Sequence, residues 1–455
     1  KPLYYYMDED QTLVIASEVK CILTYIGKAI VDKNGIKELL GLGPSLTPGY
    51  TIYKGIYSLR PGYYMYYDGE CQKNCYWKVH DEPHTEDLAE TIEHVKSLVV
   101  ESVQQQLIGD VPISTMLSGG LDSSIITALT SQYIHPLTTY SITYEDQDKY
   151  FQAYDYQTTM DDDYIQEMLS RYPTYHHKIT LKQEDLLNAL EESLIARDMP
   201  GMADIDSSFL LFAKEISKNH KVSLSGECAD EIFGGYPWFY KEELYTQPYF
   251  PWMRDLDQKI DLFNDKVKSL DLEHYIKQRY QESLLEIPTT DTKKQMIYLN
   301  IQWFMQTLLA RADSQTMRSS LEVRVPFATV KILQYLYNMP KEFMFYKGEE
   351  KGILRAAFED ILPDDIAHRK KNPYPKTHSP IYCDIIYEKL KESLSDPSNI
   401  LYQFFDKNKL IHFVESKGKS FTAPWFGQLM MGPQLMAYFY QIYLWGKIYH
   451  IELDF

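Results

Sequence analysis

Apolar positions along this chain recur with two periods, and the switch between them marks out its elements. Leu13-Val14-Ile15-Ala16 and Gly62-Tyr63-Tyr64-Met65-Tyr66-Tyr67 are short β-forming runs, and the second is closed by the turn Asp68-Gly69. Ser17 to Ile26 predicts a helix, and Ile36 to Leu40 a short helix stopped at Gly41. Pro48-Gly49 and Pro61-Gly62 mark turns. Lys78 to Glu86 is polar, contains Pro83 and reads as a linker. Beyond it Leu88, Ile92, Val95, Val99 and Val103 take up helical spacing, with Glu86 and Asp87 suited to the first turn.

The stretch Val111 to Ala128 carries the first candidate chemistry. Val111, Ile113, Met116 and Leu117 predict a buried strand, and Ile125, Ile126, Ala128 and Leu129 an apolar helical face. Between them lies Ser118-Gly119-Gly120-Leu121-Asp122-Ser123-Ser124. Two glycines let the backbone turn sharply and approach a ligand with no Cβ in the way. The free N–H groups of a helix start carry partial positive charge, and the serines add hydroxyl donors. Such a turn is a cradle for phosphate. Asp122 would repel phosphate unless Mg²⁺ lies between them.

Leu137 to Tyr144 and Tyr175 to Thr180 predict two further strands, with a helix over Asp161 to Leu169 between them. Alternating strand and helix imply an α/β fold, a parallel sheet with helices on both faces. Ligands in such sheets bind beyond the C-terminal ends of the strands, where Ser118 and Ile142 fall. His176 and His177 have no partner ligands nearby in sequence and are expected to be ordinary strand residues. A short strand ending at Leu224 leads into Ser225-Gly226-Glu227-Cys228-Ala229-Asp230-Glu231. Three carboxylates within five positions repel one another unless cations or hydrogen bonds absorb the charge. Asp230 is therefore expected to share a metal ion with Asp122, and Glu227 to orient or deprotonate an incoming amine. Lys351, beside glycines in Lys347-Gly348-Glu349-Glu350-Lys351-Gly352, is placed to neutralise a leaving pyrophosphate. Arg369-Lys370-Lys371 adds a cationic cluster.

At 455 residues the expectation is two to three domains, and a hydrophobic content of 44% is that of a globular chain. A net charge of −18 argues against a nucleic-acid partner. No apolar run is long enough to span a bilayer, so no membrane partner is expected. Cys21, Cys71, Cys75, Cys228 and Cys383 are odd in number and scattered, as reduced thiols of a cytoplasmic protein would be. Cys21 lies inside a predicted helix and is expected to be a small core residue. The opening Lys1-Pro2-Leu3-Tyr4-Tyr5-Tyr6 reads as the middle of a strand, so the chain is expected to begin inside a domain.

The Ser118 loop resembles the pyrophosphate loop of the N-type ATP pyrophosphatases, and differs from the Walker loop, which carries a lysine. Arg311-Ala312-Asp313-Ser314-Gln315-Thr316-Met317 and Ser320-Leu321-Glu322-Val323-Arg324-Val325-Pro326-Phe327 resemble motifs of the glutamine-hydrolysing asparagine synthetases. So do Ala16-Ser17-Glu18-Val19-Lys20 and Leu59-Arg60-Pro61-Gly62, which are similar to the later part of that family's glutaminase domain. The resemblance implies residues 1–79 as the remnant of an α+β N-terminal-nucleophile glutaminase domain. It implies residues 87–455 as an ATP-dependent synthetase domain with an adenine nucleotide alpha hydrolase-like sheet. The family's nucleophile is the first residue of its glutaminase domain, and no cysteine of this chain can fill that place, so the chain as written is not expected to hydrolyse glutamine. The family usually has aspartate where this chain has Thr329.

The implied reaction has two steps. The side-chain carboxylate of aspartate attacks the α-phosphate of Mg-ATP and releases pyrophosphate. Ammonia, derived from glutamine in the intact family, then converts β-aspartyl-AMP to asparagine and AMP. Carried onto this chain, the backbone at Leu117 and Ile142 and the turn Ser225-Gly226 would hold the adenylate. Ser118, Gly119, Gly120, Asp122 and Ser123 would hold pyrophosphate and metal, with Asp230 as the second metal ligand. Lys351 would stabilise the leaving group, and Glu227 would serve the intermediate or the ammonia step. The family also suggests a homodimer. One alternative is a relative with the same adenylation and another nucleophile, such as a β-lactam synthetase or a lasso-peptide cyclase; Glu227 favours ammonia. A tRNA-modifying enzyme would need a basic face, and a non-catalytic scaffold would not need all three charged motifs.

Overall fold

The computed structural model describes residues 1–153 and 159–455. The N-terminal part is built from short strands: β1 (Tyr4–Met7), β2 (Leu13–Ala16), β3 (Ile30–Asp32), β4 (Ile56–Ser58), β5 (Tyr63–Tyr67) and β6 (Cys71–Cys75). Strand β1 lies between β2 and β4 and pairs antiparallel with both, Tyr4 opposite Ala16 and Ser58. Strands β5 and β6 form a hairpin whose turn contains Gly69 at φ 79°. The hydrophobic pattern does not announce β6, because Cys71-Gln72-Lys73-Asn74-Cys75 is polar and mostly exposed.

Two local expectations need correcting. Cys21 is on the expected helix, Val19–Ile26, but is exposed; the helix buries Val19, Ile22 and Leu23 instead. The short helix Lys33–Ile36 also does not stop at Gly41. It passes into a π-turn over Lys37–Leu42. A Cβ at Gly41 would sit in ordinary contact with Ile276 at 3.6 Å, so its backbone packs there in a helical course. The chain turns away at Gly43-Pro44.

No helix or strand lies between Tyr76 and Asp87. The helix Leu88–Gln106 then starts at Asp87, whose carboxylate accepts from Glu90 N while Glu90 accepts from Asp87 N. Strands β7 (Ile113–Met116), β8 (Thr138–Tyr144), β9 (Tyr175–Leu181), β10 (Val222–Leu224) and β11 (Glu322–Arg324) form a sheet in the order β11-β10-β7-β8-β9. Every pairing in it is parallel. Side chains alternate across the central strand. Ile113 joins the cluster containing Val95, Val99 and Ile125. Met116 joins Phe209, Phe212 and Ala312 from the helices Asp204–Ser217 and Met305–Arg318. Helices thus cover both faces, as the α/β reading requires.

The chain builds outward from β7 through β8 to β9, then returns to the other side of β7 for β10 and β11. The order reverses between β7 and β10, which places a crevice at their C-terminal ends. His176 bonds to Thr139 and Ser141 at 2.9 and 3.0 Å, and His177 stacks on Tyr140. Both are strand residues, and no cluster of three metal-ligating side chains occurs among the described residues. Strand β12 (Glu452–Asp454) pairs parallel with β3 of the N-terminal part. The preceding helix, Pro433–Ile448, sends Trp445 Nε1 to the Tyr53 hydroxyl at 2.9 Å. Among the described residues no helix is long and apolar enough to cross a membrane.

Candidate active site

The crevice is made by the turns that follow β7 and β10. Gly119 lies at φ +67°, and a Cβ there would meet Tyr164 Cβ at 2.7 Å and Ile165 N at 2.9 Å. Only glycine combines that backbone with so close an approach. Ser123 ties the first turn together: its hydroxyl accepts from Ser118 N at 3.1 Å and donates to Gly120 O at 3.2 Å, with Ser118 Oγ 3.0 Å away. Leu117 spends its N–H on Tyr140 O at 2.8 Å. In the second turn Ser225 donates to Arg324 O at 2.9 Å, and Ser225 Oγ accepts from Glu227 N. A Cβ on Gly226 would sit 2.7 Å from Ser123 N and 2.9 Å from Asp122 C. The two turns therefore touch backbone to backbone. Leu117, Ser118, Gly120, Asp122, Ser123, Ile142, Ser225, Gly226, Glu227, Asp230 and Lys351 all line one cleft, while Gly119, in the same turn, does not line it and packs against Tyr164 and Ile165.

Lys351 is the electrostatic centre. It caps the helix Gly352–Phe358 from a left-handed backbone, φ 56°, and is 3% exposed. Its Nζ donates to Asp122 Oδ2 at 2.6 Å and lies 2.5 Å from Asp230 Oδ1. The two aspartates, 108 positions apart in the chain, thus share one cation. Lys371 adds a second at 3.4 Å from Asp230 Oδ2. Burial pushes the Asp122 carboxyl up, and Lys351 offsets only part of this. Burial acts the same way on Asp230, yet Lys351 and Lys371 together draw its carboxyl below the usual range. Burial alone would lower Lys351, but the paired carboxylates raise it well above an ordinary lysine. Gly235 makes room for this: a Cβ there would come 2.0 Å from Asp230 Oδ1 and 2.5 Å from Lys351 Cε. Glu231, third of the clustered carboxylates, turns away to accept from the Tyr236 hydroxyl at 2.6 Å, and burial raises it to about 7.

A family model described as asparagine synthase matches residues 94–440. The chain is 46% identical over 466 residues to asparagine synthetase (glutamine-hydrolyzing) 3 of Bacillus subtilis (strain 168), covering 99% of this chain and 76% of that relative. The chain belongs to the asparagine synthase family. A second model, a glutamine amidotransferase domain, matches residues 1–77. Asparagine synthetase (glutamine-hydrolyzing) 1 of Bacillus subtilis is 26% identical over 82% of this chain and 64% of its own length. Asparagine synthetase B of Escherichia coli (strain K12) is 24% identical over 87% of this chain and 60% of its own length. The chain thus spans three quarters of the first relative and less than two thirds of the other two.

The synthase cleft contains groups that local sequence patterns do not reveal. Arg311 Nη2 donates to Glu227 Oε1 at 2.5 Å, across 84 positions of chain. Its guanidinium lies over the rings of Phe209 and Tyr374 at 5.1 and 5.0 Å. Arg369 donates to Asp161 Oδ1 at 2.6 Å and to the Ser118 carbonyl at 3.2 Å, and stacks on Tyr164 at 3.9 Å. Burial raises the Asp161 carboxyl against the pull of Arg369. Asp161 itself carries no sequence signal beyond starting a helix. Thr329, at the family's aspartate position, precedes the helix Val330–Asn338, and its hydroxyl makes no capping bond.

Proposed function

We infer that this synthase makes asparagine from aspartate, ATP and ammonia through β-aspartyl-AMP, releasing AMP and pyrophosphate. The ammonia is taken up directly or derived from glutamine. The observation that carries the reading is the convergence of Asp122 and Asp230 on Lys351 beside the Ser118 turn, at the reversal point of a parallel sheet. Phosphate chemistry needs that arrangement: a nest of N–H groups for the anion, carboxylates for its metal and a cation for the leaving group. The relatives named above carry the same activity in their names, which favours it over the cyclase and tRNA-modifying alternatives.

The residues present fit Mg²⁺. Asp122 Oδ1 is buried without a hydrogen-bond partner, an acceptor that a cation would satisfy. Mg²⁺ typically takes one or two protein carboxylates and completes its shell with phosphate and water. Asp122 and Asp230 would hold it, and it would supply charge neutralisation for the triphosphate. The N–H groups and hydroxyls of Ser118 to Ser123 would bind the β- and γ-phosphates. Leu117, Ile142 and Ser225-Gly226 would seat the nucleoside. Lys351 stands ready to neutralise the departing pyrophosphate. Glu227 would serve the adenylate or the ammonia step from one residue beyond Gly226.

The test is pyrophosphate release by the purified protein, with aspartate plus ammonium, with glutamine, and with other carboxylates. Release that depends on both ATP and aspartate, with asparagine as co-product, is expected. Pyrophosphate formed at the same rate without aspartate overturns the reading.

A further inference from the structure

We propose that Arg311 and Glu227 form a clamp for the α-carboxylate and α-ammonium groups of the amino acid that is adenylated. The proposal rests on the reading above and names the groups that would confine it to one substrate. Arg311 is 3% exposed, and a guanidinium carries five N–H donors. One of them is spent on Glu227 Oε1. Nε is buried with no hydrogen-bond partner. Glu227 mirrors this: Oε1 is engaged, while Oε2 is buried without a partner. An unpartnered buried donor and an unpartnered buried acceptor on the two members of one ion pair are costly unless something fills them.

The pair is neutral as a whole and carries one unspent function of each sign, which is the complement of an amino-acid zwitterion. The nearby Asp206 is engaged elsewhere through Oδ2, which accepts from Met202 N at 2.9 Å and lies 3.6 Å from Arg197, while its Oδ1 is buried and makes no hydrogen bond to Arg311. Phe209 and Tyr374, whose rings meet edge to face at 6.0 Å, both flank the guanidinium, at 5.1 and 5.0 Å, and limit its movement before substrate arrives. Glu227 follows Gly226, where a Cβ would collide with Asp122 and Ser123. A substrate gripped at its α-groups would therefore lie in the same cleft as the phosphate turn, with its side-chain carboxylate free to reach it. A site built to hydrogen-bond a group rejects analogues that lack it far more strongly than an apolar pocket could.

The experiment is carboxylate-dependent ATP–pyrophosphate exchange without ammonium, which isolates adenylation from the later step. Aspartate is compared with β-alanine, which lacks the α-carboxylate, and with succinate, which lacks the ammonium. The native protein should prefer aspartate to both by roughly 10³-fold or more. Arg311→Gln should raise the KM for aspartate at least about tenfold, leave the KM for ATP unchanged, and erase the preference over β-alanine but not over succinate. Glu227→Gln should do the converse. Arg311→Lys keeps the charge, gives an intermediate result, and carries the same comparison should Arg311→Gln unfold on a thermal melt. Equal losses with all three carboxylates, at unchanged KM for aspartate, would reduce the pair to a structural ion pair and overturn the clamp. No exchange with aspartate in the native protein would instead sink the functional reading.

Discussion

Replacing Lys351 with glutamine probes the centre of the site. The substitution keeps most of the side-chain volume and removes the charge that Asp122 and Asp230 share at 2.6 and 2.5 Å. At an effective dielectric of about 20, one ion pair at 2.6 Å is worth roughly 6 kcal/mol of attraction. Desolvating the ammonium takes much of this back, since Lys351 is 3% exposed and each aspartate 19%. Removing one partner of a buried pair typically costs about 3–5 kcal/mol, and that is the loss of unfolding free energy expected in urea titration. Lys371 keeps the figure from being larger, because it remains 3.4 Å from Asp230. Pyrophosphate release should fall about 10²–10³-fold, the usual effect of losing one preorganised charge.

Two further measurements make the Lys351 result specific. In the variant the Asp122 carboxyl, already raised, should rise further. A carboxyl raised in the folded state adds stability below its unfolded pKa and loses it as pH climbs through the folded value, so the variant should recover stability on acidification relative to the native protein. Adding Asp122→Asn to Lys351→Gln should restore stability by removing the surplus charge and should not restore activity. A Lys351→Gln protein with native stability, or a double variant no more stable than the single one, would refute the shared-cation account.

Three other outcomes follow from the geometry. Gly226→Ala should disturb the phosphate turn, since its Cβ would meet backbone at 2.7 and 2.9 Å; the KM for ATP should rise at least about tenfold, for a displacement costing over ~1 kcal/mol, and a native KM would contradict the close approach. Arg369→Gln should raise the KM for ATP by about 10–100-fold while sparing the KM for aspartate, because its charged bond to Asp161 and its contact with Ser118 O hold the same turn; steady-state kinetics in both substrates decide it. Lys259 is buried, donates to Gly41 O at 2.8 Å, and is pulled down to about 7 by desolvation. The unfolded chain then binds one more proton than the folded one from about pH 7 up to the ordinary lysine value of 10.5. Stability should therefore climb with pH over that window, by up to about 1.4 kcal/mol per unit, relative to Lys259→Met. A pH-independent difference between the two proteins would remove the explanation.

What could be read from the chain divides by range. The turn after β7 and the strands around it are visible because a local pattern fixes them: apolar run, two glycines, apolar helix face. Strand β11 is not, since Glu322-Val323-Arg324 sets one apolar residue between an exposed and a half-buried charge and becomes a strand only by pairing with β10. The polar hairpin strand β6 escapes for the same reason. Cys21 shows the limit of knowing an element without its orientation: the helix was legible, the buried side of it was not. Arg311 with Glu227, and Arg369 with Asp161, meet across 84 and 208 positions, distances over which no periodicity speaks.

The pairing of β12 with β3, reinforced by Trp445 on Tyr53 and by Tyr53 on Asp198 O at 2.5 Å, has an evolutionary corollary. The amidotransferase-like segment cannot be swapped among relatives as a detachable cassette, because the final turns of the synthetase-like segment supply part of its scaffolding. A recombination joint placed in the irregular stretch before Leu88 would strand half of a shared core on each side. Domain shuffling in this lineage should therefore carry the β3 and β12 segments together, and chimeras made by a single cut there should express poorly.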